Sequence, residues 1–227
     1  MFNKIKILLK NPSFLVEYKT RKQRLKNFLN ITDEEIDQYF HESEKFWHEI
    51  NEKQDKANAY ERMSLERLQI LYSCIRALSP NIMVETGVAG GSTSYFILSA
   101  MKKNGKGKLF SIDVDNPIWH DHKEYEVGWL VPDELRKNWI LKIGDSKTEL
   151  KPLLESLESV DIFFHDSDHS YSHMLFEFET IFSFLNSDKI ILSDDINLNS
   201  SIDDFSKQKN LKLEKFFGFG VIRSHND

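Results

Sequence analysis

The chain has 227 residues, 40% of them hydrophobic, which suits one α/β domain with a helical addition. A formal charge of -6 and a pI near 5.8 argue against a general nucleic-acid binder, which would be basic. Cys74 is the lone cysteine, so an internal disulfide and a cysteine-based zinc cluster are excluded, a core thiol is expected, and a reducing cytoplasm is the expected setting.

The chain opens on "MFNKIKILLKNPSFLV". Lys10 and Asn11 cut its apolar stretch and no small-residue cleavage site follows, so it does not read as a signal peptide. No run reaches the ~18 apolar residues of a membrane span. Residues 1–28 carry Lys4, Lys6, Lys10, Lys19, Arg21, Lys22, Arg24 and Lys26 against Glu17. That pattern fits a peripheral contact with an anionic membrane or acidic partner, or a solvated helical arm, and the arm is the preferred reading. Thr32 and Glu35 have capping-box spacing, with Ile31 and Ile36 as a staple, so a helix starts near Asp33 and runs to about residue 50. The polar stretch "NEKQDKANA" reads as a linker. A second helix follows Ser64 and stops before Pro80. Residues 1–58 are thus expected to form a helical extension, of a kind that builds homo-oligomer interfaces, and 59–227 the main domain.

From residue 81 short apolar runs alternate with helical segments. Strands are expected at "IMVET", "KLFSIDV", "WILKIG", "VDIFFHD" and "KIILSDD", with helices near 92–103 and 171–185. This alternation predicts a mostly parallel sheet covered on both faces. The tail "LKLEKFFGFGVIR" reads as an antiparallel hairpin at the sheet edge. In such sheets ligands bind outside the carboxyl ends of the strands.

Those ends carry the chemistry. After the first strand comes "VETGVAGGSTS", where Gly87, Gly90 and Gly91 permit a tight turn and Ser92 opens a helix whose amides favour an anion. The spacing is neither the dinucleotide fingerprint nor a P-loop. Glu85 repels an anion and tolerates a cation, so a ligand with both carboxylate and ammonium suits the loop. Asp113 ends the second strand about 20 residues on, where an acid commonly takes a ribose diol. Asp145 and Ser146 end the third and face toward an adenine edge.

The ordered set E-T-G-x-x-G-G-S-T, I-D and G-D-S resembles class I S-adenosylmethionine-dependent methyltransferases over residues 60–223. The resemblance implies a Rossmann-like sheet of seven strands with the last antiparallel. It implies that Gly87, Gly90, Gly91 and Ser92, with Glu85 nearby, line the methionine end of the cofactor. Asp113 would hold the ribose, and Asp145 with Ser146 the adenine. "DIFFHDSDHSY" and "IILSDDIN" resemble a catechol O-methyltransferase-like metal site, which places magnesium on Asp166, Asp194 and Asp195, with Asp166 also bordering the cofactor. The place of that group's lysine is taken by His169, as in similar bacterial sugar and macrolide O-methyltransferases, which makes His169 the general base. The chemistry agrees: three uncompensated carboxylates call for a cation, and oxygen ligands favour Mg²⁺, Ca²⁺ or Mn²⁺. An imidazole accepts a proton at neutral pH.

The neighbours read more plainly. Asp168 is expected to cap backbone, His165 to be structural, and His173 to support the site at most. His120 and His122 read as loop residues. The expected function is metal-assisted O-methylation of a sugar, glycan precursor or secondary metabolite. A haloacid dehalogenase-type phosphohydrolase would use the D-x-D differently, but leaves the glycine loop unexplained. A non-catalytic binding module is the third reading. No G-x-S-x-G is present for a serine hydrolase.

Overall fold

The computed structural model describes residues 12–57, 63–116 and 125–224. Helix α1 spans Pro12–Leu29 and α2 spans Asp33–Lys56. The capping box forms as the spacing predicts: Glu35 N donates to Thr32 Oγ1 at 3.2 Å, and Thr32 N to Glu35 Oε2 at 2.8 Å. Helix α2 continues through "NEKQDK", so the linker reading is corrected for residues 51–56. Ile50, Asn51 and Gln54 are buried there, and Asn51 Nδ2 donates to the Trp47 carbonyl at 2.7 Å, so the inward face carries polar groups that look like a linker in sequence. Helix α3, Leu65–Leu78, follows its Ser64 cap and ends at Ser79 in a left-handed conformation.

The sheet is built from β1 (Ile82–Thr86), β2 (Lys108–Asp113), β3 (Trp139–Ile143), β4 (Val160–His165), β5 (Leu185–Ser193), β6 (Lys212–Phe216) and β7 (Phe219–Arg223). Among the described residues its order is β3-β2-β1-β4-β5-β7-β6. β1 to β5 pair in parallel, β7 is antiparallel to β5, and β6 closes the edge as the hairpin partner of β7. Helices α4 (Ser92–Asn104), α5 (Asp133–Arg136), α6 (Ser146–Leu157), α7 (Tyr171–Phe182) and α8 (Ser201–Gln208) make the connections. Three of these escaped the sequence reading. Helix α6 contains Pro152, and α8 buries only Ile202 and Phe205 among its apolar residues.

Alternation along the central strands feeds two cores. Met83, Ile162, Phe164, Ile190, Leu192 and Val221 face one cluster, and Val84, Phe163, Ile191 and Ile222 face the other. This is why the runs are continuously apolar: both faces are covered. Chain order reverses direction at β1 and β4, which opens a crevice at their carboxyl ends.

The first cluster also takes Leu25, Phe28 and Leu29 from α1 and Ile36 and Ile50 from α2, so the helical extension packs on the sheet. Three of the five basic residues of α1 find acids nearby. Lys22 pairs with Asp37, Lys26 with Asp33 at 2.9 Å, and Arg24 with Glu214 at 2.5 Å. These pairs consume charge that a membrane contact would use. Residues 1–11 of the basic segment lie outside the described residues. No helix among the described residues is long and apolar enough to cross a membrane.

Leu25 is 1% exposed at the junction between α1 and the sheet's helices. Leu25→Ala is expected to cost about 2–4 kcal/mol. Urea unfolding should remain a single transition; an early separate phase would mean that α1 folds apart from the sheet.

Candidate active site

The loop after β1 turns where its glycines allow. Gly87 has φ +84°, and a Cβ there would lie 1.9 Å from the Asp166 carbonyl oxygen. The loop thus presses against the end of β4 at a distance that no side chain permits. Gly91 has φ +90°, and its Cβ would meet Gly128 Cα at 2.8 Å. Residues 125–131 lie on this loop: Gly128 N donates to the Ala89 carbonyl at 2.8 Å and Leu130 N to the Gly90 carbonyl at 3.0 Å. Trp129 stacks on Tyr125 with centroids 4.4 Å apart, and its indole nitrogen is buried without a hydrogen-bond partner. The sequence, read alone, sets this segment in a 116–138 loop at the rim that would cover an acceptor. His120 and His122 fall outside the described residues.

Glu85 lies beneath the loop rather than in it. Its carboxylate is fully buried and accepts from Thr93 Oγ1 at 2.8 Å, Ser94 Oγ at 2.6 Å and Ser111 Oγ at 2.7 Å. Burial pushes its carboxyl up to about 7, against the pull of those three hydroxyls. The residue fastens the loop to α4 and β2 and does not face a ligand ammonium. Asp113 clasps the loop from the side: its Oδ2 accepts from Val88 N at 2.6 Å and Ala89 N at 3.0 Å. Asp145 is exposed and caps α6 through Lys147 N at 2.9 Å. Ser146 turns inward, with its Oγ 2.9 Å from His173 Nε2. Ser92 and Gly87 remain half-exposed at the rim.

Below the end of β4 runs a polar network that the sequence did not single out. Glu177 of α7 is fully buried, and its carboxylate meets Thr86 Oγ1 at 2.6 Å, His165 Nδ1 at 2.7 Å, His173 Nε2 at 2.9 Å and Ser167 Oγ at 2.9 Å. Burial alone would raise its carboxyl, but the hydrogen bonds and charge of His165, with His173, hold it well below the usual carboxylate range. The same hydrogen bond raises His173. The four-residue spacing of His173 and Glu177 on one helix face was the available clue.

His169 sits above this network. Its Nε2 is buried, without a hydrogen-bond partner, and 3.8 Å from Asp166 Oδ1, beyond hydrogen-bond reach. Its ring meets His165 edge-on, with centroids 5.2 Å apart. Burial, then the neighbouring His165, lowers its pKa. Asp168 bonds the Ser170 amide at 2.8 Å, which is the capping role read for it and leaves the D-x-D pair divided.

The acidic pair after β5 already has a counter-charge. Arg67 Nη1 donates to both oxygens of Asp194 at 2.9 Å and to Asp195 Oδ1 at 2.8 Å. Nothing in the sequence linked α3 to this turn. Strand pairing sets His165 opposite Ser193 and so brings Asp166 level with Asp194. Yet among the described residues no group of three or more His, Cys, Asp or Glu side chains converges as a metal ion needs. The three-carboxylate magnesium site is therefore not matched by these residues: a tethered guanidinium holds the oxygens that the ion would require.

Residues 84–196 match the family model described as "Methyltransferase domain". Comparison with curated proteins gives no match. Solved structures share the fold. An O-methyltransferase from Bacillus cereus in complex with SAH is 13% identical with a TM-score of 0.59, covering 91% of this chain and 97% of its own. An SAH-bound methyltransferase from Podospora anserina is 15% identical with a TM-score of 0.57, covering 90% and 95%. A methyltransferase from Geobacter sulfurreducens is 15% identical with a TM-score of 0.59, covering 78% and 87%. Residues 84–196 thus match a methyltransferase domain model, in a chain that shares its fold with methyltransferases solved with SAH.

The glycine geometry gives a direct test. Gly87→Ala should lose at least about 3 kcal/mol, since it adds a backbone clash to a left-handed conformation. Gly105→Ala, with φ +72° and nothing within 4 Å of its Cβ, should lose only ~1–2 kcal/mol. Equal losses in denaturant titrations would mean that the contact with Asp166 does not constrain the loop.

Proposed function

We propose that the protein is an S-adenosylmethionine-dependent O-methyltransferase acting on a hydroxyl of a small molecule, of the class of sugars, glycan precursors or secondary metabolites. The observation that carries this reading is a shared rim: the glycine loop and Asp113 end the same parallel strands beside which His169 holds an uncommitted ring nitrogen. A cytoplasmic setting suits the single buried thiol of Cys74.

In this reading the backbone of Gly87, Gly90, Gly91 and Ser92 receives the methionyl end of the cofactor. Asp113 Oδ1 has a lone pair left for a ribose hydroxyl, since it accepts only from Asp115 N, while Oδ2 is taken up by Val88 N and Ala89 N. Asp145 offers its exposed edge to the adenine. Ser146 serves through its backbone, because its hydroxyl is engaged with His173. Asp166 borders the cofactor through the backbone that packs on Gly87. When bound, S-adenosylmethionine supplies a sulfonium methyl that passes to the acceptor oxygen and leaves S-adenosylhomocysteine. The His169 ring, in a side chain that is 20% exposed, removes the hydroxyl proton. Its lowered pKa keeps it unprotonated at neutral pH. Asp194 and Asp195 are assigned no metal step, because Arg67 already engages both.

Calorimetry with S-adenosylmethionine should give micromolar binding to the wild-type chain. His169→Asn should leave that affinity within about twofold and lower kcat on a hydroxylated acceptor by about 10²–10⁴. Since His169 works unprotonated, the rate should fall as pH drops through its folded-state pKa, with the acid limb below the ordinary imidazole value of 6.5. No cofactor binding would overturn the whole reading. Binding with an unaffected rate in His169→Asn would remove His169 as the base.

A further inference from the structure

Two adjacent carboxylates, one of them buried, end β5. The Asp194 side chain is 5% exposed and that of Asp195 is 39% exposed. Asp195 adopts a left-handed φ of +49°, and Asp194 N is held by the His165 carbonyl at 3.0 Å, so the turn is fixed. Such a pair repels itself and is costly to bury unless a cation stands between the two groups. A divalent ion would do this by taking carboxylate oxygens at about 2.1–2.6 Å.

Here one nitrogen does it. Arg67 Nη1 lies 2.8–2.9 Å from three carboxylate oxygens of the pair. Arg67 Nε donates to the Phe217 carbonyl at 3.0 Å, which anchors the guanidinium from behind. Gly218 beside it is the residue that makes room, since a Cβ there would come within 2.9 Å of Arg67 Nη2. The guanidinium thus arrives from α3, is braced by the β6–β7 turn, and ends between the two acids. A tethered cation needs no free ion in solution and loses no translational freedom on binding. An ion entering this place would have to expel a positive charge hydrogen-bonded to four oxygens.

We infer that Arg67 is a built-in cation standing where a divalent ion would bridge Asp194 and Asp195, so that the chain holds this rim together without metal. The inference concerns the cation site alone and stands or falls independently of the methyl acceptor.

The probe is Mn²⁺, titrated into the full chain with free ion followed by electron paramagnetic resonance. Wild type and Arg67→Lys should take up no stoichiometric Mn²⁺ below roughly millimolar concentration. Arg67→Gln, which bares both carboxylates, should bind one Mn²⁺ at least about tenfold more tightly. That gain should vanish in Arg67→Gln combined with Asp194→Asn. Micromolar Mn²⁺ binding by wild type that is lost in Asp194→Asn overturns the inference, as does a folded Arg67→Gln with no gain in affinity. If Arg67→Gln does not fold, the triple variant Arg67→Gln, Asp194→Asn, Asp195→Asn decides. Removing the cation and both charges together should restore the fold, and failure to restore it overturns the inference. Cofactor calorimetry on the same samples reads the methyltransferase proposal separately.

Discussion

Carboxylates that have lost contact with water set the terms for the rim of this sheet. An ionised group buried alone costs several kcal/mol, so the chain must surround it with donors or keep it neutral. Glu85 and Glu177 are both fully buried, Glu85 within β1 and Glu177 against Thr86 at its end. Glu85 recruits hydroxyls from α4 and β2, and Glu177 recruits two imidazoles and two hydroxyls. The outcomes differ because the donors differ. Three neutral hydroxyls do not offset the burial of Glu85, whose carboxyl rises to about 7, whereas imidazoles able to carry charge keep Glu177 ionised. Each solution ties a strand end to a helix, so the positions of the ligand-facing loops follow from how the buried charges are satisfied.

The same logic extends outward. Asp113 is held by loop amides, Asp168 by the Ser170 amide, and Asp194 with Asp195 by Arg67. Burial, followed by the nearby Asp195 charge, still outweighs Arg67 and leaves the Asp194 carboxyl raised, while Arg67 itself becomes a stronger base. One guanidinium therefore compensates the pair only in part. A rim rich in acids is held by backbone amides and one distant arginine.

Much of this was legible in the sequence, and the limits have physical causes. The strands were visible because β-strands covered on both faces are apolar along their centres, as Ile162–Phe164 and Ile190–Leu192 are. The glycine loop was visible because only glycine accepts the conformation at Gly87. Helix α8 was missed because an amphipathic stretch of eight residues needs only Ile202 and Phe205 to pack. The site's partners were missed for another reason. Arg67 lies 127 positions from Asp194, and no local period records such a contact. Three carboxylates seen without their counter-charge suggest a metal; the counter-charge was elsewhere in the chain.

In the proposed reaction, with His169 as the base, that residue illustrates the compromise that follows. A base of lowered pKa is unprotonated at neutral pH, and so is ready to act, but it binds the proton it takes more weakly. It therefore cannot supply most of the acceleration by basicity alone. The larger share must come from holding acceptor and methyl donor in line, where effective concentration does the work. Rigidity at the rim then becomes the functional requirement. The buried carboxylates, the glycine loop pressed on β4 and the arginine across the β5 turn are all means of supplying it, and they explain why a fold would tolerate burying so much charge around one uncommitted nitrogen.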